Sequence, residues 1–348
     1  MAKMKSLFFF GDREVSLEEV DRPTIQAGTD AIIRTTLSTI CGSDLHIYHG
    51  ELPIEPPFPI GHEFVGVVEE VGKGVQRFKV GDRVAVSCVV YCGHCYYCLR
   101  GLYGHCEHGG IYGCGSLLGN LGGAQAEYVR VPFADLGMHK ISDGLQEEEV
   151  LYVGDILATG FTGAVNGHIQ PGDVVAVFGS GPVGLCAQVC AQLFSPAVVV
   201  AVDRLDYRLE ISRRLGCVTV NPDREDPLVR IAELSQGRGA DVAIEAVGVS
   251  LTLEGCLYSV RPGGRVSSVG IFSRPMEFPL PLLCMKDISL VMSIVDVRWM
   301  PNLIRLIQEK KLDLTFLNTH TMPLAEAPKA YEIFDRKEDR VLKILLRP

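Results

Sequence analysis

Residues 179–184 read Gly-Ser-Gly-Pro-Val-Gly, and their neighbours fix what that bend is for. The segment 171–178 is a turn followed by a short apolar run, and the stretch after the bend, through residue 194, has the periodicity of an amphipathic helix. A second apolar run, AVVVAVD, closes at Asp203. Strand, bend, helix and strand in this order build a parallel sheet covered by helices. Gly179 makes the tight turn, Gly181 lets backbone approach a pyrophosphate, and Gly184 lets the helix pack on the strand. Pro182 and Val183 lie between them, at a helix N-terminus that faces the phosphates. Asp203, nineteen residues past Gly184, is placed to accept hydrogen bonds from adenosine ribose hydroxyls and to repel the extra phosphate of NADP. NAD is therefore the expected cofactor, with NADP left open by Arg204 and the nearby Arg208. A plain αβ turn with an aspartate cap is the simpler reading, and strand, glycines and acid together outweigh it.

This unit fills only part of the chain. At 348 residues, about twice the usual domain length, two domains are expected, and 47% hydrophobic residues supply a large core. Residues 5–153 carry short valine and isoleucine runs cut by Gly, Pro and Asp, such as AIIRTT, FVGVVEEVG and GDRVAVSCVV, the texture of a β-rich, barrel-like domain. Beyond the dinucleotide motif, DVAIEAVG, GGRVSSVGIF and DISLVMSIV continue the parallel sheet. After Asp296 the pattern predicts a helix (MPNLIRLIQEKK), a strand around His320, another helix (LAEAPKAYEIFDRK) and a closing strand, VLKILL. A formal net charge of −9 with scattered lysines and arginines leaves no basic footprint for nucleic acid. The opening MAKMKSLFFFGDREV reaches charged residues too soon for a signal-peptide core, and no later run approaches the roughly 20 apolar residues of a membrane helix. A cytoplasmic protein without membrane partners is expected.

Residues 92–106 read CGHCYYCLRGLYGHC, with cysteines at 92, 95, 98 and 106. Two disulfides, an iron–sulfur cluster and a closed tetrathiolate zinc site compete for this spacing. Disulfides fall away in a reducing compartment. Iron is weaker than zinc, because a bacterial ferredoxin run places its fourth cysteine about three residues on and follows it with Pro, whereas Glu107 follows here. Sequence leaves iron open. Upstream, STICGSDLHIYHG gathers Cys41, Ser43, Asp44 and His46, and PIGHEFVGVV carries His62 and Glu63 ahead of a strand. Taken singly these are a buried thiol, a core imidazole and a solvated loop. Together, a thiolate, an imidazole and a carboxylate from separate segments are what a catalytic zinc requires.

These ordered motifs, from C-G-S-D-x-H through G-H-E and the four-cysteine lobe to G-x-G-x-x-G and the closing THTMPLAEAPKAYEIF, resemble the zinc-dependent medium-chain dehydrogenases, specifically the alcohol dehydrogenases. The resemblance implies an α/β chain with a β-rich GroES-like catalytic domain and a doubly wound Rossmann domain. Its implied boundaries are 1–156 for the catalytic domain, with a zinc lobe at about 90–110, 157–296 for the NAD-binding domain, and 297–348 returning to the catalytic domain. Cys92, Cys95, Cys98 and Cys106 match the thiolates of a structural zinc. Cys41 and His62 match the constant ligands of a catalytic zinc, Glu63 the adjacent carboxylate able to replace water, and Asp155 in VGDILATGFTGA a third ligand where many members have Cys or Glu. A helix N-terminal acid is the bland alternative for Asp155.

The implied chemistry is reversible hydride transfer from a primary or secondary alcohol to NAD, with two zinc ions per chain. Thr159 is expected near the nicotinamide ring, Val269, Val291 and Ser293 near its carboxamide, and Val247 also in contact with the cofactor. Ser43 is expected to take the substrate proton and pass it toward His46 and solvent. Cys88 stands where some relatives carry a bulky aromatic, which suggests room for a branched or secondary alcohol. Tyr112 and the glycine-rich segment 111–121 are expected to line the mouth of the pocket as a mobile stretch. A formaldehyde dehydrogenase or dismutase, a polyol dehydrogenase, an iron–sulfur electron-transfer protein and a non-catalytic binding protein are the competing readings. A homodimer or homotetramer is expected, with DISLVMSIV a candidate pairing edge.

Overall fold

The structure, a computed structural model, describes residues 2–348, which divide into two compact units. One contains the residues up to Ala158 together with Asp296–Pro348, and the other contains Thr159–Val295.

The first unit is built around strand Ala31–Thr39, the AIIRTTLST stretch, whose Ala31, Ile32, Ile33 and Leu37 are fully buried. β-Branched residues facing both ways suit a central strand covered on both sides. Strand Glu63–Val71 pairs with it antiparallel, and the ladder ends at Thr39 opposite Glu63. Cys41 and His62, lying just past that end on either strand, are thereby brought side by side. On the other edge the closing strand Lys343–Arg347 also runs antiparallel, with Leu345 opposite Thr39. Lys343 therefore comes level with the chain just beyond Thr39. Strand Asn318–Pro323 adds in parallel outside it, and Arg83–Val86 and Met138–Lys140 extend the sheet beyond Glu63–Val71. Helix Ala327–Arg336 contributes Ala327, Ala330, Tyr331 and Phe334 to a core shared with Leu7, Phe9, Ile40 and Ile60.

The second unit is a six-stranded sheet in the order Val218–Val220, Val198–Val202, Val174–Phe178, Ala240–Glu245, Val260–Ser268 and Ser289–Met292, parallel throughout. Chain order reverses at Val174–Phe178, whose flanking strands arrive from opposite directions, so a crevice opens at the carboxyl ends of the strands. Phe178 lies level with Val202 on one side and Glu245 on the other, which aligns the bend at Gly179, Asp203 and Glu245 along one edge. Gly179 has φ of +101°, a conformation that favours glycine. A Cβ at Gly184 would sit 2.0 Å from the Gly179 carbonyl oxygen, so the helix Pro182–Gln192 reaches its packing distance only with glycine there. Both expected domain types are present.

Candidate active site

Four ligating side chains converge inside the first unit: the Sγ of Cys41, a ring nitrogen of His62 and a carboxylate oxygen from each of Glu63 and Asp155 all lie within 4.8 Å of one another, and all four residues are buried. Asp155 arrives from the junction between a 3-10 turn, Leu151–Gly154, and helix Ile156–Asn166. Its Oδ2 accepts a hydrogen bond from Cys41 Sγ at 3.4 Å and faces His62 Nε2 at 3.2 Å. Ser43 Oγ lies 3.2 Å from the same His62 nitrogen. Cys88, fully buried, points its Sγ at Asp155 Oδ1 from 3.7 Å.

The electrostatics of this cluster call for a cation. Burial, with the Asp155 and Glu63 carboxylates beside it, pushes the Cys41 thiol up to about 11. Burial works against charge on His62, and Asp44, Asp155 and Cys41 override it, holding the imidazole well above its ordinary value. Glu63 Oε2 is buried with no hydrogen-bond partner among the described residues. A divalent ion answers all three: it displaces the thiol proton, takes the imidazole lone pair and gives the stranded oxygen a partner. Cys41, His62 and Asp155 with Glu63 adjacent thus fit zinc.

Behind these ligands lies a chain of buried groups. Asp44, the third residue of helix Gly42–Tyr48, accepts the Cys41 N–H on Oδ2 at 2.9 Å, closing the first turn as a capping box does. Its Oδ1 lies 3.2 Å from His62 Nδ1. Gln125 Nε2 donates to Asp44 Oδ2 at 3.2 Å, and Tyr331 Oη donates to Gln125 Oε1 at 3.0 Å. A Cβ on Gly61 would fall 2.5 Å from Gln125 Cγ, so Gln125 also braces the backbone just ahead of His62. Lys343 closes the other side. Its ammonium pairs with Glu63, both side chains fully buried, and donates to the Ile40 carbonyl at 2.8 Å, 5.5 Å from the centre of the Tyr152 ring. Burial works against its charge, and the Glu63 carboxylate overcomes it, holding Lys343 above the usual lysine value. Sequence reasoning missed Gln125, Tyr331 and Lys343; the unbroken apolar context of LKILL around a single lysine is the one signal that pointed to a buried cation.

The sulfurs of Cys92, Cys95, Cys98 and Cys106 also lie within 4.8 Å of one another. No disulfide links any cysteines among the described residues. The N–H groups of Cys92 and His108 donate to Cys106 Sγ at 3.2 and 3.4 Å. Burial opposes ionisation of Cys95, yet N–H groups at Glu107 and Cys98 bring it down to about 6, whereas burial pushes Cys98 up to about 12. Four sulfurs at this spacing ionise together only around a cation, and a closed S4 cage fits zinc.

In the second unit Asp203 Oδ2 accepts the Ser180 N–H at 2.7 Å and Oδ1 the Leu205 N–H at 2.8 Å. Arg208 approaches Asp203 at 4.0 Å, while the exposed Arg204 pairs with Asp223 at 3.1 Å. A Cβ on Gly181 would meet nothing nearer than Arg208 Nη1 at 3.5 Å, so the bend is open for a pyrophosphate. Val247 is exposed, Thr159 and Val269 are buried, and Val291 is half-buried. Ser293 Oγ accepts from Asn166 at 3.0 Å. Glu245, absent from the expected set, organises this edge by accepting the N–H groups of Val247 and Gly248, both at 2.8 Å, and the Thr252 hydroxyl at 2.7 Å.

Tyr112 corrects an expectation. It does not line a mouth: it is fully buried, packs edge-on against Phe64 with ring centres 5.5 Å apart, and donates to the Arg130 carbonyl at 3.3 Å. The glycines around it serve close packing, since a Cβ on Gly113 would lie 2.4 Å from the Gly61 nitrogen.

Two family descriptions match the chain: "Alcohol dehydrogenase GroES-like domain" over residues 27–143 and "Zinc-binding dehydrogenase" over residues 182–309. An alcohol dehydrogenase of Cupriavidus necator is 37% identical over 100% of this chain and 99% of its own. The chain belongs to the zinc-dependent medium-chain dehydrogenases. Within that family it is similar to the alcohol dehydrogenase TADH from Thermus sp. ATN1, at 42% identity and a TM-score of 0.94 over 99% of both chains. It is also similar to a sorbitol dehydrogenase of Bacillus subtilis, at 31% identity over 99% of this chain and 97% of that one. As a zinc-type alcohol dehydrogenase it is an oxidoreductase acting on alcohols, which removes the electron-transfer and non-catalytic readings. No helix among the described residues is long and apolar enough to cross a membrane.

Proposed function

We propose that this alcohol dehydrogenase oxidises primary or secondary alcohols reversibly, with NAD as the preferred acceptor and two zinc ions per chain. The convergence of Cys41, His62, Glu63 and Asp155 in one buried cluster carries the reading. Cys41, His62 and Asp155 hold the catalytic ion, with Glu63 beside it under the control of Lys343. Cys92, Cys95, Cys98 and Cys106 hold the structural one. When bound, zinc supplies Lewis acidity to the alcohol oxygen and the nicotinamide supplies a hydride acceptor. Ser43 Oγ, within 3.2 Å of His62 Nε2, takes the substrate proton and passes it toward His46, whose Nδ1 is oriented by Glu51. Cys88, small and beside Asp155, leaves room for a substituent on the carbinol carbon.

Gly179, Gly181, Pro182, Val183 and Gly184 would hold the pyrophosphate, and Thr159, Val247, Val269, Val291 and Ser293 would hold the nicotinamide half. The reading of NAD is supported by Asp203, whose carboxylate would accept from ribose hydroxyls and repel an added phosphate, and by Arg204, which is drawn away to Asp223. A polyhydroxy alcohol is the second reading, carried by the likeness to sorbitol dehydrogenase. The enzyme works in the cytoplasm as a homodimer or homotetramer. Pairing through edge strand Ser289–Met292 is supported by the exposed Phe278, Leu280, Met285 and Met292 in that region.

Elemental analysis with NAD and NADP reduction over primary, secondary and polyhydroxy alcohols tests this. Two zinc ions per chain and faster NAD reduction are expected; a chain with one zinc, or with NADP preferred, refutes the corresponding part.

A further inference from the structure

The four-cysteine lobe carries a second set of ligating groups on its outside. One atom each from Cys92, His94 and His108 lies within 4.8 Å of the other two, with Cys92 buried and both histidines exposed. The two imidazoles lie nearly parallel, 22° between planes and 5.7 Å between centres. Two metal–nitrogen bonds of roughly 2.0–2.1 Å span at most about 4.2 Å, so both exposed rings turn from this stacked arrangement to share one ion.

His94 Nδ1 lies 2.9 Å from the Cys92 carbonyl oxygen. A carbonyl only accepts, so Nδ1 carries the ring proton and Nε2 keeps its lone pair. Metal-binding histidines are characteristically prepared in this way, by a hydrogen bond from the other ring nitrogen. The His108 backbone is tied to the cage through its N–H to Cys106 Sγ. Charge favours a cation here as well. Four thiolates around one divalent ion leave the cage with a net charge of about −2, and sulfur retains lone pairs that can bridge to a second ion. Two imidazoles and a thiolate, with the remaining positions open to water, select ions of the borderline class such as zinc, nickel and copper over magnesium or calcium.

We propose that Cys92, His94 and His108 form a second, exchangeable transition-metal site on the outer face of the lobe, with the Cys92 thiolate bridging the buried ion and the exposed one. This rests on the reading of the four thiols as a zinc cage. Untagged enzyme is dialysed, its zinc counted, and the two-zinc protein titrated with nickel by equilibrium dialysis while the near-ultraviolet spectrum is followed. One nickel per chain is expected, without loss of zinc and with a thiolate-to-nickel charge-transfer band. His94→Ala and His108→Ala should each weaken uptake by about tenfold or more while leaving zinc content and alcohol oxidation unchanged. The inference is overturned if the two-zinc protein takes up no nickel, if the double variant takes it up as well as the parent, or if uptake brings no charge-transfer band. A lobe that lacks zinc before titration refutes the cage itself, and the inference with it.

Discussion

Replacing Lys343 by Met tests whether the buried pair under the active site matters to the fold. Met follows the aliphatic stem of lysine and removes the ammonium, leaving the Glu63 carboxylate in a site where neither partner's side chain touches solvent. The Ile40 carbonyl loses its donor as well. Breaking a buried pair from one side costs about 3–5 kcal/mol, because the surviving charge keeps its desolvation penalty without its partner. For a unit of about 200 residues each kcal/mol moves the melting midpoint by roughly 2–4 °C, so a fall of about 6–20 °C is expected for the first unit. Glu63→Gln alone should destabilise comparably by stranding the lysine. The double variant should recover about 2 kcal/mol or more relative to the sum of the singles, since no uncompensated charge remains. Calorimetry of the zinc-free protein, at a pH above the value of about 7 to which burial raises Glu63, reads all four corners of the cycle without an ion to compensate the carboxylate. A loss of about 1 kcal/mol or less for Lys343→Met, the range of exposed ion pairs, or simple additivity in the double variant, refutes the argument.

Asp155→Ala should remove one of two zinc ions per chain; undiminished zinc by elemental analysis takes Asp155 off the ligand set. Ser43→Ala should lower turnover across the pH range with both zinc ions retained, and full activity eliminates the proposed proton path. Gln125→Leu cuts the hydrogen-bonded chain from Tyr331 to Asp44, and through Asp44 loosens His62. A drop of about tenfold or more in kcat with an altered visible spectrum of the cobalt-substituted enzyme is expected, and an unchanged spectrum contradicts the positioning role. His139 reports on acid stability. Burial, aided by Arg77, lowers it to about 4 from an unfolded value of about 6.5, so the folded state holds it neutral. Its contribution is intact above pH 6.5 and is lost as pH falls toward 4, by about 1–2 kcal/mol at pH 5. His139→Gln should be spared that loss, and a stability difference from the parent that stays flat between pH 7 and 5 rules it out.

The parts of the site legible in the sequence are those whose geometry is local. The glycine spacing at 179–184 constrains one bend, and the cysteine spacing at 92–98 constrains one loop, so residue order alone carries the shape. Cys41 and His62 are different. Their chemistry was readable, but their meeting depends on Thr39 pairing with Glu63, which residue order does not state. Tyr112 was misjudged because an aromatic among glycines reads as exposed, whereas those glycines let backbones close over the ring.

Sequence alone determined the two kinds of domain, the dinucleotide bend and the donor types a metal needs, because turn chemistry and hydrophobic periodicity act over a few residues. Tertiary structure decided what surrounds those donors. Lys343 reaches Glu63 across 280 residues because the closing strand pairs with Ala31–Thr39, and Tyr331 reaches Gln125 across 206 because its helix buries an apolar face against the same core. Which strand lies beside which is set by the burial of whole faces, summed over many residues. A single lysine or glutamine has no local pattern that reveals the partner this packing will give it.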